Sequence, residues 1–395
     1  MKKKLNCYIK IKHGFAFESR FFTDNGKYIV LTPGNFNEFG GFRSANGKTK
    51  FYCGEIPIGY ILKKNDLLVV MTEQAPGLLG AQALIPQEDR YLHNQRLGLV
   101  ELLDSNRLDK EYLFHLFNLP SVRQEIEKNA AGTKVRHTSP DKITAIEAYI
   151  PSFSAQVRIA HLLSHWGSAI ERTERLIEYS ELRLQALMQQ LLSGSDIRET
   201  AREGWKVYRL GDLFSERIET DYPELPLLSI TGNEGVVDRE LTGRKDTSSE
   251  DKSKYVRICP GDIGYNTMRM WQGVSALSSL EGIVSPAYTI VVPGPKIVGE
   301  YAAHLFKYSP IINQFYRYSQ GLTSDTWNLK FDNFSEILVR VPDIGLQKRT
   351  IRILDAAIKE KTLLKKKIEA LSSQKSFLMS KLLTGEWEAP ELKTR

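Results

Sequence analysis

Apolar residues recur at alternating spacings of four and three through Ile159, Leu163, Trp166, Ile170, Thr173, Ile177, Ser180, Leu184, Leu187 and Leu191. A stripe this narrow is a heptad seam, and it predicts a long helix that seeks another helix. A second seam runs through Leu354, Ala357, Lys361, Leu364, Ile368, Leu371, Lys375, Leu378 and Leu382. Its two lysines weaken it, although their stems can still pack. Pro151 and Pro342 stand just before these helices, with Ser152 or Ser154 and Asp343 as candidate N-caps. Gly194 and Gly385 follow the last apolar residues, where a helix stops. A helix over 155–192 spans roughly 57 Å at 1.5 Å per residue. Elsewhere, short apolar runs such as Leu67–Met71, Tyr288–Val292 and Ile337–Val341 alternate with Gly/Pro turns and helical segments near 111–128 and 300–316. That mixture predicts α/β bodies.

The seams belong to a repeat. Shifting the chain by 191 residues lays Asp141–Gly194 on Asp332–Gly385 without a gap. Pro151 falls on Pro342, Gln156 on Gln347, Arg158 on Arg349 and Leu163 on Leu354. The ends agree best, with Leu187-Met188, Leu191-Leu192 and Gly194 on Leu378-Met379, Leu382-Leu383 and Gly385. A shift of 189 aligns Glu111-Tyr112 and His115-Leu116-Phe117 with Glu300-Tyr301 and His304-Leu305-Phe306, and Gly132 with Gly321. Between these blocks the halves share almost nothing, which suits two readers of different targets on one scaffold.

Four segments follow: a first recognition domain over 1–150, a helix and linker over 151–203, a second domain over 204–341, and a helix and tail over 342–395. Only the short polar stretch Ser195–Glu203 separates the first helix from the second domain. If that domain's two ends lie close together, the helices run antiparallel with one domain at each end of a rod. The alternative is that each helix packs on its own domain. The expected fold class is α+β: two mixed α/β recognition domains separated by two long antiparallel coiled-coil helices, with a pseudo-two-fold internal repeat.

Composition narrows the chemistry modestly. The chain has 395 residues, 54 Lys+Arg against 47 Asp+Glu, and a net charge of +7. That excess favours an acidic partner such as nucleic acid without establishing one. Cys7, Cys53 and Cys259 are far apart and form no CxxC pair, so neither a disulfide framework nor a zinc ribbon is indicated. The basic start Met1-Lys2-Lys3-Lys4 is followed by Asn6, Lys10, Lys12 and His13, which interrupt any signal-like apolar core. A cytoplasmic location without membrane insertion is expected.

In this order the residues resemble the specificity subunits of type I restriction-modification systems. Gly204-Trp205-Lys206-Val207-Tyr208-Arg209-Leu210-Gly211-Asp212-Leu213 is similar to the usual opening of a target-recognition domain in that family. Asn94-Gln95-Arg96 and Ser285-Pro286-Ala287-Tyr288 resemble its mid-domain signatures, and the Pro-x-x-x-x-Gln start and Leu-Met-x-x-Leu-Leu-[Ser/Thr]-Gly end of each helix complete the pattern. Two departures stand out. The usual Glu-Gln is Ala155-Gln156 and Leu346-Gln347, and the first domain lacks the Gly-Trp opening, beginning instead at His13-Gly14-Phe15-Ala16-Phe17. The resemblance implies that each domain reads one half of a split, asymmetric double-stranded DNA target. The helices would set the spacing and dock about two modification subunits, which methylate adenine, with restriction subunits as further partners. S-adenosylmethionine and ATP would be held by those partners and no cofactor by this chain. Successive major-groove faces lie about 34–36 Å apart, within reach of such a rod.

Other motifs carry less. Gly41–Thr49 misses the phosphate-binding loop by one residue in its glycine spacing and follows no hydrophobic strand. Ser285-Pro286-Ala287-Tyr288 departs by one residue from the base-holding motif of amino-methyltransferases, and no glycine-rich cofactor loop accompanies it. His161 and His165 lie four apart, but no third ligand is evident, so no metal is expected. No catalytic residue is assigned. The candidate DNA contacts are basic or amide groups in the unshared stretches: Arg43, Asn46, Lys48 and Lys50 in the first domain, and Arg244, Lys245, Lys254 and Arg269 in the second. Lys134 and Arg136, beside Gly132, are candidates for phosphate or partner. The partner-docking helices are those bearing Ile159, Leu163, Trp166, Ile170, Ile177, Leu354, Leu364, Ile368 and Leu371. A competing function is a free-standing DNA-binding regulator dimerising through its coiled coil; a self-sufficient methyltransferase or nuclease is disfavoured.

Overall fold

The computed structural model describes residues 2–43, 49–73, 77–196, 203–232, 234–240, 251–323 and 326–391. Two compact units divide the chain, one of Met1–Glu174 with Lys367–Arg395 and one of Arg175–Lys366. The long helices Phe153–Leu192 and Ile344–Leu382 each give one half to each unit. Compactness therefore cuts both helices at mid-length, whereas the sequence segments are cut at helix ends, because the two halves of a helix pack with different bodies.

The first unit is built on a four-stranded antiparallel sheet in the order Ile9–His13, Leu97–Leu102, Leu67–Val70, Gln82–Leu84. The second repeats that order with Phe214–Glu216, Tyr288–Pro293, Ile263–Asn266 and Ser275–Leu277. In both, the last strand in sequence inserts beside the first. The run Leu67–Val70 is buried at every position, as a strand covered on both faces should be. Next come two helices, Lys110–Phe117 and Pro120–Lys128 in one unit, Gly299–Leu305 and Ser309–Tyr318 in the other. The repeat thus extends through domain bodies whose sequences barely match.

One expectation is corrected. The first domain does not begin at His13. Lys2–Lys4 forms a strand antiparallel to Glu147–Tyr149, just as Trp205–Arg209 pairs with Leu338–Pro342 in the second unit. The Gly-Trp opening is absent from the first domain, but its structural job is done by three lysines, because a short edge strand needs backbone hydrogen bonds more than particular side chains.

The repeated Gln at the start of each long helix is a latch. In the first unit Gln156 is fully buried; its Oε1 accepts from the Asp109 amide at 2.8 Å, and its Nε2 donates to the carbonyls of Arg107 and Pro151. In the second, buried Gln347 accepts from the Val298 amide at 2.8 Å and donates to the carbonyls of Lys296 and Pro342. Ser152 and Asp343 cap the helices through the amides of Ala155 and Leu346. At the other ends, a Cβ on Gly194 would lie 2.8 Å from the Trp205 ring, and one on Gly385 2.7 Å from Tyr149. Gly385 also has φ +79°, so only glycine meets both demands there.

Within each unit the helix halves run antiparallel. In the first, Ile159 and Leu163 share a core with Met379, Leu382 and Leu383. In the second, Leu192 shares a core with Leu354, Arg183 pairs with Glu360 at 3.0 Å, and Glu181 with Lys361 at 3.8 Å. Every seam position of both helices is buried or half-buried, and between Ile358 and Phe377 the other positions of the second helix are exposed. Both packings weighed from the sequence therefore occur together: helix against helix, and helix ends against domain. Among the described residues no helix is long and apolar enough to cross a membrane.

Candidate nucleic-acid interface

The strands leave two pairs of equivalent loops at one edge of each unit. In the first unit one loop follows Tyr28–Val30 and reaches Glu38, and the other joins Leu67–Val70 to Gln82–Leu84 through Gly77. In the second, one follows Leu228–Thr231 at Gly232, and the other joins Ile263–Asn266 to Ser275–Leu277 through Gly273. Tyr28–Val30 pairs in parallel with Tyr91–Leu92, and Leu227 bridges Ile283 in parallel, which supports the match.

The candidate contacts distribute over these loops. Arg43 is exposed, but its Nε and Nη2 both donate to the Gly34 carbonyl, at 3.2 and 3.1 Å. That fork is already used, so a paired contact to guanine would first have to break it. Lys50 is exposed with its Nζ 5.2 Å from the Phe22 ring centre. Lys254 and Arg269 are exposed. Asn46, Lys48, Arg244 and Lys245 lie outside the described residues, as does part of the Gly41–Thr49 stretch. Lys134 is exposed, whereas Arg136 is a structural tie: it pairs with buried Glu73 at 3.2 Å and donates to the Glu127 carbonyl.

Sequence reasoning passed over the aromatic residues. Two residues beyond Arg269, Trp271 meets Trp327 with ring centres 5.2 Å apart, and Trp327 meets Tyr316 at 4.9 Å. Trp271 is fixed by its Nε1 donating to the Met268 carbonyl at 3.0 Å. In the first unit Phe39 projects from a tight turn in which the Asn37 amide donates to the Gly41 carbonyl. Its side chain is 90% exposed. These residues lie in the unshared stretches, which was the available signal, but a lone aromatic in a loop has no period to mark it. Conversely, Arg217 and Arg257 are committed to carboxylates: Arg217 grips buried Asp262 with two bonds, at 2.7 and 3.1 Å, and Arg257 pairs with Glu219 and Glu281.

The mid-domain signatures are turns that feed the inserted strand. The Leu97 amide donates to the Asn94 carbonyl before Leu97–Leu102, and the Tyr288 amide to the Ser285 carbonyl before Tyr288–Pro293. His161 and His165 touch edge-to-face on the helix surface, and His165 Nδ1 lies 2.8 Å from the His161 carbonyl. Among the described residues no group of three or more His, Cys, Asp or Glu side chains is gathered for a metal.

On the long helices, Ile159, Leu163 and Leu354 are buried inside the chain, and Trp166, Ile170, Ile177, Leu364, Ile368 and Leu371 are half-buried along the seam. Ile159, Leu163 and Leu354 pack within the chain's own cores, and the most exposed apolar side chains of these helices form a different face. It carries Leu176, Tyr179, Leu182 and Leu363, all more than half exposed. Beside it in the second unit lies a groove of about 520 Å³ lined by Arg183, Arg349, Arg352, Ile353 and Glu360.

The family described as the type I restriction modification DNA specificity domain matches residues 2–179. No curated protein sequence matches. A crystal structure of the type I restriction-modification S subunit from M. genitalium is 17% identical, aligns over 100% of this chain and 96% of its own length, and has a TM-score of 0.61. A chain from a structural study of type I complex assembly and conformational transition is 13% identical, with 98% of both chains covered and a TM-score of 0.60. Residues 2–179 thus match the type I restriction modification DNA specificity domain, and the whole chain shares the fold of these two solved chains.

Proposed function

We propose that the chain reads a two-part, asymmetric DNA target, one half per unit, while its helices set the spacing and dock adenine-methylating subunits. The observation that carries this is the contrast within the repeat. Sheet order, helix latch and seam recur, while the loops at the equivalent edges differ in sequence and chemistry. Common parts suit a spacer and dock, and divergent loops suit readers of different bases.

The exposed stripe Leu176, Tyr179 and Leu182 is the proposed partner surface, since apolar side chains turned away from their own seam gain most from being covered. Catalysis, S-adenosylmethionine and ATP belong to the partners in this reading, and its setting is the cytoplasm.

Sequencing modified bases in cells carrying the complex should show a two-part adenine-methylated motif with a fixed unspecified gap. Replacing block 204–341 with another recognition domain should change one half-site only. A change in both halves would overturn the division of labour. Purified chain that binds a specific DNA yet never associates with modification subunits would favour a free-standing regulator.

A further inference from the structure

We propose that Arg123 in the first unit and Lys307 in the second are equivalent loop clamps that hold the DNA-reading loops in their binding shape; this rests on the reading of the units as DNA readers. Arg123 Nη1 donates to the Glu38 carbonyl at 2.9 Å and its Nη2 to the Gly77 carbonyl at 2.6 Å. Lys307 Nζ donates to the Gly273 carbonyl at 2.7 Å and the Gly232 carbonyl at 3.4 Å. Each cation thus ties together the same two loops of its unit: the one after Tyr28–Val30 or Leu228–Thr231, and the one inside the Leu67–Leu84 or Ile263–Leu277 hairpin.

The two cations are not aligned in the repeat. At the shift of 189 that matches the flanking helices, Arg123 falls on Ile312 and Lys307 on Asn118. Yet all four side chains face the same loops. A Cβ on Gly40 would lie 2.2 Å from the Asn118 amide, and one on Gly273 would lie 2.7 Å from Ile312. In each unit, then, one position in the turn between the two helices and one within the second helix look onto this pair of loops, and the cation has changed places while its targets have stayed the same. Inherited packing would keep the residue in place; a retained task allows it to move.

The cations are also costly, which argues for a task. Burial lowers the pKa of both Arg123 and Lys307, so the charged form is partly desolvated. Glu127, Glu73 and Glu38 offset some of this for Arg123; for Lys307, burial is the influence that stands out. Neither forms an ion pair among the described residues. What each gains is a charge-assisted bond to two loop carbonyls, which orders the loops before DNA arrives and reduces the entropy lost on binding.

The test uses the full chain in complex with its modification subunits, on DNA carrying the mapped motif and single-base mismatches in each half. Lys307→Met should weaken binding by about tenfold or more and flatten the mismatch penalties of the second unit's half-site alone. Arg123→Met should do the same to the other half-site, and Lys307→Arg should restore discrimination. The salt slope should stay at the wild-type value, since no phosphate contact is lost. A slope reduced by about one, with all sequences weakened equally, would make the residue a phosphate contact and overturn the clamp. Hydrogen exchange on the free protein supplies an independent reading: amides around Gly232 and Gly273 should exchange faster in Lys307→Met while the sheet stays protected. Unchanged exchange there would also sink the clamp, whereas a wild-type complex without any split specificity would refute the DNA reading instead.

Discussion

Gln156 and Gln347 show how much a single buried amide can hold. Each makes three hydrogen bonds, all to backbone atoms, and neither has a water route to replace them. Gln347→Leu strands one amide and two carbonyls, so urea unfolding should show the second unit destabilised by about 3 kcal/mol. His115 offers a second check. Burial lowers its pKa from the ordinary 6.5 to about 3, and it bonds Ser164 at 3.1 Å. Because the folded state binds this proton less readily than the unfolded chain, its neutral form stabilises fully above 6.5. That contribution is lost as pH falls toward 3, at up to about 1.4 kcal/mol per unit. The acid limb of a stability–pH curve should be shallower in His115→Asn; an unchanged slope would assign the acid loss to other groups. At this scale Gln and His were marked by repetition, yet nothing local hinted that Gln would bond only to backbone, since two of its three partners in each unit, one amide and one carbonyl, lie about 50 residues away.

Among elements, the helix seams were the most legible feature, because a heptad period is set by the helix itself and needs no tertiary knowledge. The lysines in the second seam divide by circumstance. Lys361 reaches Glu181, whereas the pKa of Lys375 is lowered by burial alone. Lys375→Met should therefore raise the unfolding free energy of the first unit, by about 1 kcal/mol, read from the denaturant midpoint at constant slope. The outward face predicts a different pattern. Leu182→Ala and Leu176→Ala should leave thermal stability nearly unchanged while weakening co-purification with the modification subunits; a loss of stability without a loss of association would return these residues to the core.

For the whole molecule, the duplicated architecture implies interchangeable parts. The latch on the second unit joins Gln347 to the backbone of Val298, Lys296 and Pro342, so it does not depend on the side chains a donor domain brings. A chimera exchanging 204–341 should accordingly keep a thermal midpoint within a few degrees of the parent, measured by calorimetry. A collapse of the midpoint would show that side-chain packing at the boundary matters more than the backbone latch.

The sequence by itself determined the duplication, the two long helices, their caps and seam positions, and the order of motifs that resembles the specificity subunits. These depend on local rules, such as helical period, capping and turn chemistry, that act over a few residues. Only the tertiary structure decided that the unshared bodies have one strand order, that three lysines open the first domain as a strand, and that Arg43 and Arg136 are tied to their own chain. It also decided that the cations at positions 123 and 307 hold the same loops. Strand pairing and loop ties join residues dozens of positions apart through backbone atoms common to every amino acid, so they leave no pattern along the chain to read.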